Sequence, residues 1–274
     1  MSTITFKHGA LIRSGPKLVN GGKWDSMLDD SNRDAHTNAI LTIYIDIHFV
    51  KISPASGNKG TYGDADSKPR KIQNWKKGEF ATFKKRLLSQ AEHFWNGTFW
   101  LKTPANYSGL DWPEDKPTHR CNLCCRVKLR AVDAASEAHY TIAVVRAEDG
   151  EHFRSHSRLY SQRDIEAKQL IPHSTAKFWT HYHEVGHLIG LGHVNHRDVH
   201  TAGLNDPAAY GVGGTEVQQT DVMGMGAKKH AWHAGPWQTA AGLLTETKAS
   251  DWVVHMKHHG HHITPARLVH TPKK

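Results

Sequence analysis

The stretch HEVGHLIGLGH, from His183 to His193, governs how the rest of the chain is read. It has the form H-E-x-x-H-x-x-G-x-x-H. On a helix, residues four apart lie on one face, one turn above the other. His183 and His187 therefore present two imidazoles at the spacing of two ligands to one zinc ion. Glu184 sits beside them without being a ligand. It is placed to take a proton from a water that the metal acidifies. Gly190 can adopt the backbone conformation that ends a helix and turns the chain. That turn brings His193 back as the third ligand. Three protein ligands leave one tetrahedral position open, which marks a catalytic rather than a structural zinc site. The chain holds 23 histidines in 274 residues, so coincidence must be weighed. Its own composition gives a chance match on the order of one in a thousand, too rare to prefer.

The pattern resembles the zinc signature of the metzincin metallopeptidases. Members of that family carry a methionine turn downstream, beneath the metal. Here TDVMGMG supplies Met223, thirty positions after His193, with Met225 as the alternative. The resemblance implies that the methionine supports the ligand histidines without binding metal. It covers roughly residues 174–226. Two positions depart from the family. The residue after the third histidine is Val194, which matches no subfamily. Where some subfamilies place a tyrosine after the turn methionine, this chain has Met225; Tyr210 is the candidate substitute. The fold implied is α+β: a twisted mixed β-sheet with two long helices, one carrying the zinc motif, and a smaller part after the turn. The implied cleft lies between 36–193 and 194–247, and a peptide would pair with an exposed edge strand above the metal. Residues 1–35 then form an N-terminal extension and 248–274 a His-rich basic tail.

The local patterns agree with an α+β chain. Residues 40–52 alternate as a strand with Leu41, Ile43, Ile45 and Ile47 on one face. The polar stretch 53–77 reads as a solvated loop, and its Asp64 and Asp66 lack the further ligands that calcium needs. Residues 78–96 read as an amphipathic helix on Phe80, Phe83, Leu87, Leu88, Ala91 and Phe94 or Trp95, beside basic Lys84, Lys85 and Arg86. Residues 121–133 and 139–147 read as a strand pair joined at Ala134–Glu137, with a further strand near 157–161. The zinc helix is expected at about 175–190 with Ser174 as its N-cap. A last helix runs from Pro236 to Thr245. The tail DWVVHMKHHGHH, with His255, His258, His259, His261 and His262, reads as a solvated arm or a surface metal tract.

Composition bounds the partners. At 38% hydrophobic and 22% charged, the chain reads as globular and soluble, with one sizeable core. No apolar run approaches a membrane span. The N-terminal MSTITFKHGALIRSG lacks the features of a secretory signal. The expectation is a cytoplasmic protein or export by a leaderless route. Net charge is +9, which favours contact with anionic surfaces. The basic residues are scattered without a recognition motif, which argues against specific nucleic-acid binding. Cys121, Cys124 and Cys125 are odd in number. Buried free thiols are expected there, ahead of a disulfide or a second metal.

The expected activity is zinc-dependent endopeptidase cleavage of protein or peptide substrates, with one zinc on His183, His187 and His193 and Glu184 as base and acid. Two alternatives stand: a zinc amide hydrolase on cell-wall peptides, of the toxin or phage-effector kind, and a catalytically silent metal-binding module.

Overall fold

The computed structural model describes residues 5–7, 10–14, 24–29, 39–112, 119–168, 177–194, 210–211, 213–256 and 266–267. Strands β1 (Thr5–Lys7), β2 (Ala10–Ser14), β3 (Asp25–Asp29) and β4 (Ala39–Lys51) come first, then a hairpin of β5 (Lys59–Gly63) and β6 (Pro69–Gln73). Helix α1 (Glu79–Trp95) leads to β7 (Phe99–Lys102), β8 (Asp111–Trp112), β9 (His119–Arg120), β10 (Leu123–Val132), β11 (Tyr140–Val145) and β12 (Leu159–Ser161). Helices α2 (Thr180–Leu188), α3 (Glu216–Thr220) and α4 (Gly235–Thr245) follow, with β13 (Val253–Met256) and β14 (Ala266–Arg267) last. The class is α+β with a mixed sheet.

The β-branched, alternating sequence of β4 makes it the axis of that sheet. Its Leu41, Ile43, Ile45 and Ile47 are fully buried. Helix α1 covers this core with Phe83, Leu87, Ala91 and Trp95, spaced by one turn each, and α4 adds Trp237, Ala240, Ala241 and Leu244. Each large apolar side chain buried here contributes about 1.5–3 kcal/mol. Polar ends of α1 complete its seat: Asn96 exchanges hydrogen bonds with the Val127 backbone (2.6 and 3.2 Å), and Glu92 accepts Leu129 N–H at 2.8 Å. The three cysteines are buried and free, as expected. Cys125 shares its face with buried Val127 and Leu129, while Ala131 is exposed.

Several expectations are corrected. The strands within 121–133 and 139–147 do not pair with each other. Both run parallel to β4, with β10 along one edge and β11 along the end of the other, while β3 pairs antiparallel with the beginning of that other edge. The link between β10 and β11 crosses β4 instead of reversing. Asp46 pins the crossing: its backbone exchanges hydrogen bonds with His139, and its carboxylate takes both Arg130 Nε and Nη2 at 2.6 and 2.8 Å.

The stretch 53–77 contains the β5–β6 hairpin, and Asp64 is not solvated. Its side chain accepts Asp66 N–H, Lys68 N–H and Arg70 Nε, so it closes the turn. The hairpin eluded the pattern because only Ile72 among its strand residues is buried. Helix α2 starts at Thr180, not near 175. Lys168 and Phe178 exchange backbone hydrogen bonds (2.7 and 2.8 Å), and Trp179 before the helix is extended. It is therefore a nine-residue helix, and of the two long helices expected only α1, with 17 residues, is long. Ser174 lies outside the described residues.

The flanking segments contribute to the sheet. Strands β1–β3 join its β4 edge, and β13 pairs with β7, with Trp24 and Trp252 buried beside them. The start of the tail is thus not a solvated arm; His258, His259, His261 and His262 lie outside the described residues. Among the described residues no helix is long and apolar enough to cross a membrane.

Candidate metal centre

Helix α2 carries His183 and His187 on one face, with ring centroids 4.8 Å apart. Gly190 ends the helical turn at φ 105°, a conformation that disfavours a side chain. Gly190 N–H donates to His187 O, and Leu191 N–H to Gly186 O, so the chain folds back and returns His193. His187 Nε2 stands 3.1 Å from both His183 Nε2 and His193 Nε2. A tetrahedral zinc with nitrogen ligands at 2.0–2.1 Å separates them by about 3.3 Å.

The other ring nitrogens explain this convergence. His183 Nδ1 donates to Val222 O at 2.9 Å, and His187 Nδ1 to Leu191 O at 2.8 Å. A carbonyl only accepts, so the proton sits on Nδ1 and the Nε2 lone pair points inward. Lone pairs at 3.1 Å with no proton between them repel unless a cation lies among them. Burial also holds both rings neutral, pushing His183 well below the usual histidine range and His187 down as well; neighbouring His187 and His193 add to the effect on His183. The group could hold a metal ion, and its donor chemistry fits one.

The methionine turn lies against the helix. Met223 is 1% exposed, and a Cβ at Gly186 would stand 2.3 Å from its Sδ and 3.3 Å from the Trp95 ring. Glycine at 186 therefore permits the contact. Val194 N–H donates to Met223 O at 3.2 Å, tying the segment after the third histidine to the turn. Met225 is half-buried. Tyr210, the candidate from the intervening loop, does reach the site: its ring is 4.2 Å from that of His193 and 5.8 Å from that of His183. Burial, then the Glu184 charge, raises its phenol, and a hydrogen bond from Arg154 opposes that.

Glu184 is 7% exposed. Burial pushes its carboxyl up to about 8, helped by the charge of Asp164 and opposed by Lys168 and Arg154. These three neighbours carry no sequence motif. Asp164 is fully buried and accepts Ser155 Oγ, Ser161 N–H and Lys168 Nζ. Arg154 also donates to Asp66 Oδ1 at 2.7 Å, linking the β5–β6 turn to Tyr210.

The edge strand that joins this network through Asp164, β12, is already satisfied. Tyr160 pairs inward with β11. Facing outward, Leu159 exchanges both backbone hydrogen bonds with His156, while Ser161 N–H goes to Asp164 Oδ2 and Ser161 O accepts Asp164 N–H. The substrate pairing that the family resemblance implies has no free backbone groups there.

A second cluster, Asp25, Asp46 and His139, is grouped as closely. Its chemistry does not suit a metal. Asp46 already holds Arg130, and His139 Nδ1 accepts Asp46 N–H, leaving the ring proton on Nε2 towards Asp25. No protein-family model, curated protein or solved structure matches the chain.

Proposed function

We propose that this chain is a zinc-dependent endopeptidase, metzincin-like in its site. The observation that carries the reading is the convergence of three Nε2 atoms, two of them fixed by Nδ1–carbonyl bonds, beside a buried Glu184 that is not a ligand. The chemistry a bound zinc ion supplies is Lewis acidity, which acidifies a water and polarises a carbonyl oxygen. His183, His187 and His193 would hold it. Glu184 accepts the proton of the attacking water on its carboxylate and delivers it to the leaving amine. Tyr210, hydrogen-bonded by Arg154, is the candidate donor to the oxygen on which negative charge develops.

The closed outer edge of β12 favours a second reading, amide hydrolysis on short or branched peptides such as those of a cell wall. Such substrates need no strand pairing. Cleavage of casein and of isolated wall peptides by the zinc-loaded chain separates the two. Chelator and Glu184→Ala controls accompany both. Turnover of either substrate, lost in both controls, supports a zinc hydrolase. Turnover retained by zinc-loaded Glu184→Ala would remove Glu184 from the mechanism.

A further inference from the structure

Beneath the methionine turn, a series of hydrogen bonds ends on a metal ligand. His230 N–H donates to His233 Nδ1 at 3.0 Å. The His233 proton is therefore on Nε2, which donates to Asp221 Oδ1 at 3.1 Å. The same oxygen accepts Met223 N–H at 2.6 Å, and Asp221 O accepts Gly224 N–H and Gly226 N–H at 3.0 Å each. The next carbonyl, Val222 O, is the one that takes His183 Nδ1–H. Asp221 and His233 are 0% and 1% exposed, and the His233 ring stands edge-on to Trp95.

A buried carboxylate is an expensive choice for this place. Desolvating it costs several kcal/mol, and a neutral acceptor would serve the same two donors. Among the described residues its Oδ2 has no hydrogen-bond partner, and His230 Nε2 stands 4.0 Å away. A negative charge joined through the turn to the carbonyl that orients His183 is useful when the three converging imidazoles carry a cation.

We propose that Asp221, steadied by His233, is the positioning group of the metal centre. It fixes the turn whose Val222 carbonyl orients His183, and its charge favours a cation on His183, His187 and His193. This rests on the metal-site reading of those three residues. Outer groups of this kind change metal affinity about 10–100-fold when removed.

The test titrates Co²⁺ into the metal-free full chain, reading affinity and the visible absorption band, with thermal melting of each metal-free variant alongside. His183→Ala gives the background from other histidines, including those of the tail. The expected result is a saturable band in the wild type that is lost in His183→Ala. Asp221→Ala should weaken binding about 10–100-fold and shift the band. His233→Phe, which keeps a ring against Trp95 and removes the donor, should weaken it less. If Asp221→Ala does not fold, His233→Phe decides. Variants that melt lower yet bind Co²⁺ with wild-type affinity and spectrum would reduce Asp221 to a structural role and overturn the proposal. A wild type without a band, or one that His183→Ala leaves intact, would sink the metal-site reading and the proposal with it.

Discussion

Gly186→Ala tests the seating of the methionine turn under α2, because two opposed effects make its sign informative. In a helix interior alanine is favoured over glycine by about 1 kcal/mol. Against that, the new Cβ would lie 2.3 Å from Met223 Sδ and 3.1 Å from its Cε, with the Trp95 ring at 3.3 Å. Overpacking of a tight core costs typically about 1–3 kcal/mol. Two walls close the space and Met223 is fully enclosed, so the upper part of that range applies. The net expectation is a loss of about 1–2 kcal/mol. Met223→Ala alone should cost about 2–5 kcal/mol through the cavity it leaves. In that background the Cβ at 186 has room, and Gly186→Ala should become neutral or stabilising by up to about 1 kcal/mol. Urea unfolding of the metal-free wild type, both single variants and the double variant measures the coupling. An equal loss from Gly186→Ala in both backgrounds, or a gain in the wild type, would refute the contact between the turn and the helix.

Two further outcomes follow from buried polar groups. Burial lowers Lys229 to about 8 from 10.5. Between those values the unfolded chain binds more protons than the folded one, so this group's contribution to stability rises from pH 8 to 10.5 and is lost as pH falls to 8. Relative to Lys229→Met, wild-type stability should climb by about 2–3 kcal/mol over that window; parallel curves in urea unfolding would count against the shift. The cysteines are buried, and burial pushes the Cys125 thiol well up. A thiol reagent at pH 8 should label none of the three quickly in the native protein and all three in denaturant. Fast native labelling of Cys125 would contradict its place in the core.

The candidate site joins residues of two kinds. The candidate ligands His183 and His187, the proposed base Glu184 and the turning Gly190 belong to one helix and its end, where spacing along the chain sets spacing in space. Their neighbours Arg154, Asp164, Lys168 and Asp221 come from loops, which have no periodicity to betray them. Asp221 was adjacent to a recognised motif, but its carboxylate acquires meaning only through His233, twelve residues on. Tyr210 could be proposed from its loop, while the approach of its ring to that of His193, 4.2 Å away and tilted, is a fact of the tertiary structure.

The same division runs through the fold. Alternation along β4 and the four-residue spacing in α1 were legible because each periodicity is built into the backbone geometry of one element. Pairing is different. A strand's sequence says which face is apolar but not which neighbour takes its hydrogen bonds, so β10 and β11 looked like a pair although β4 lies between them. The β5–β6 hairpin escaped because it buries little, and the start of α2 moved because Phe178 pairs with Lys168. The sequence by itself determined the candidate ligand set and the central strand and helix, through local geometry. Only the tertiary structure decided strand order, the closed edge of β12 and the groups around Glu184, because these rest on hydrogen bonds between residues far apart in the chain.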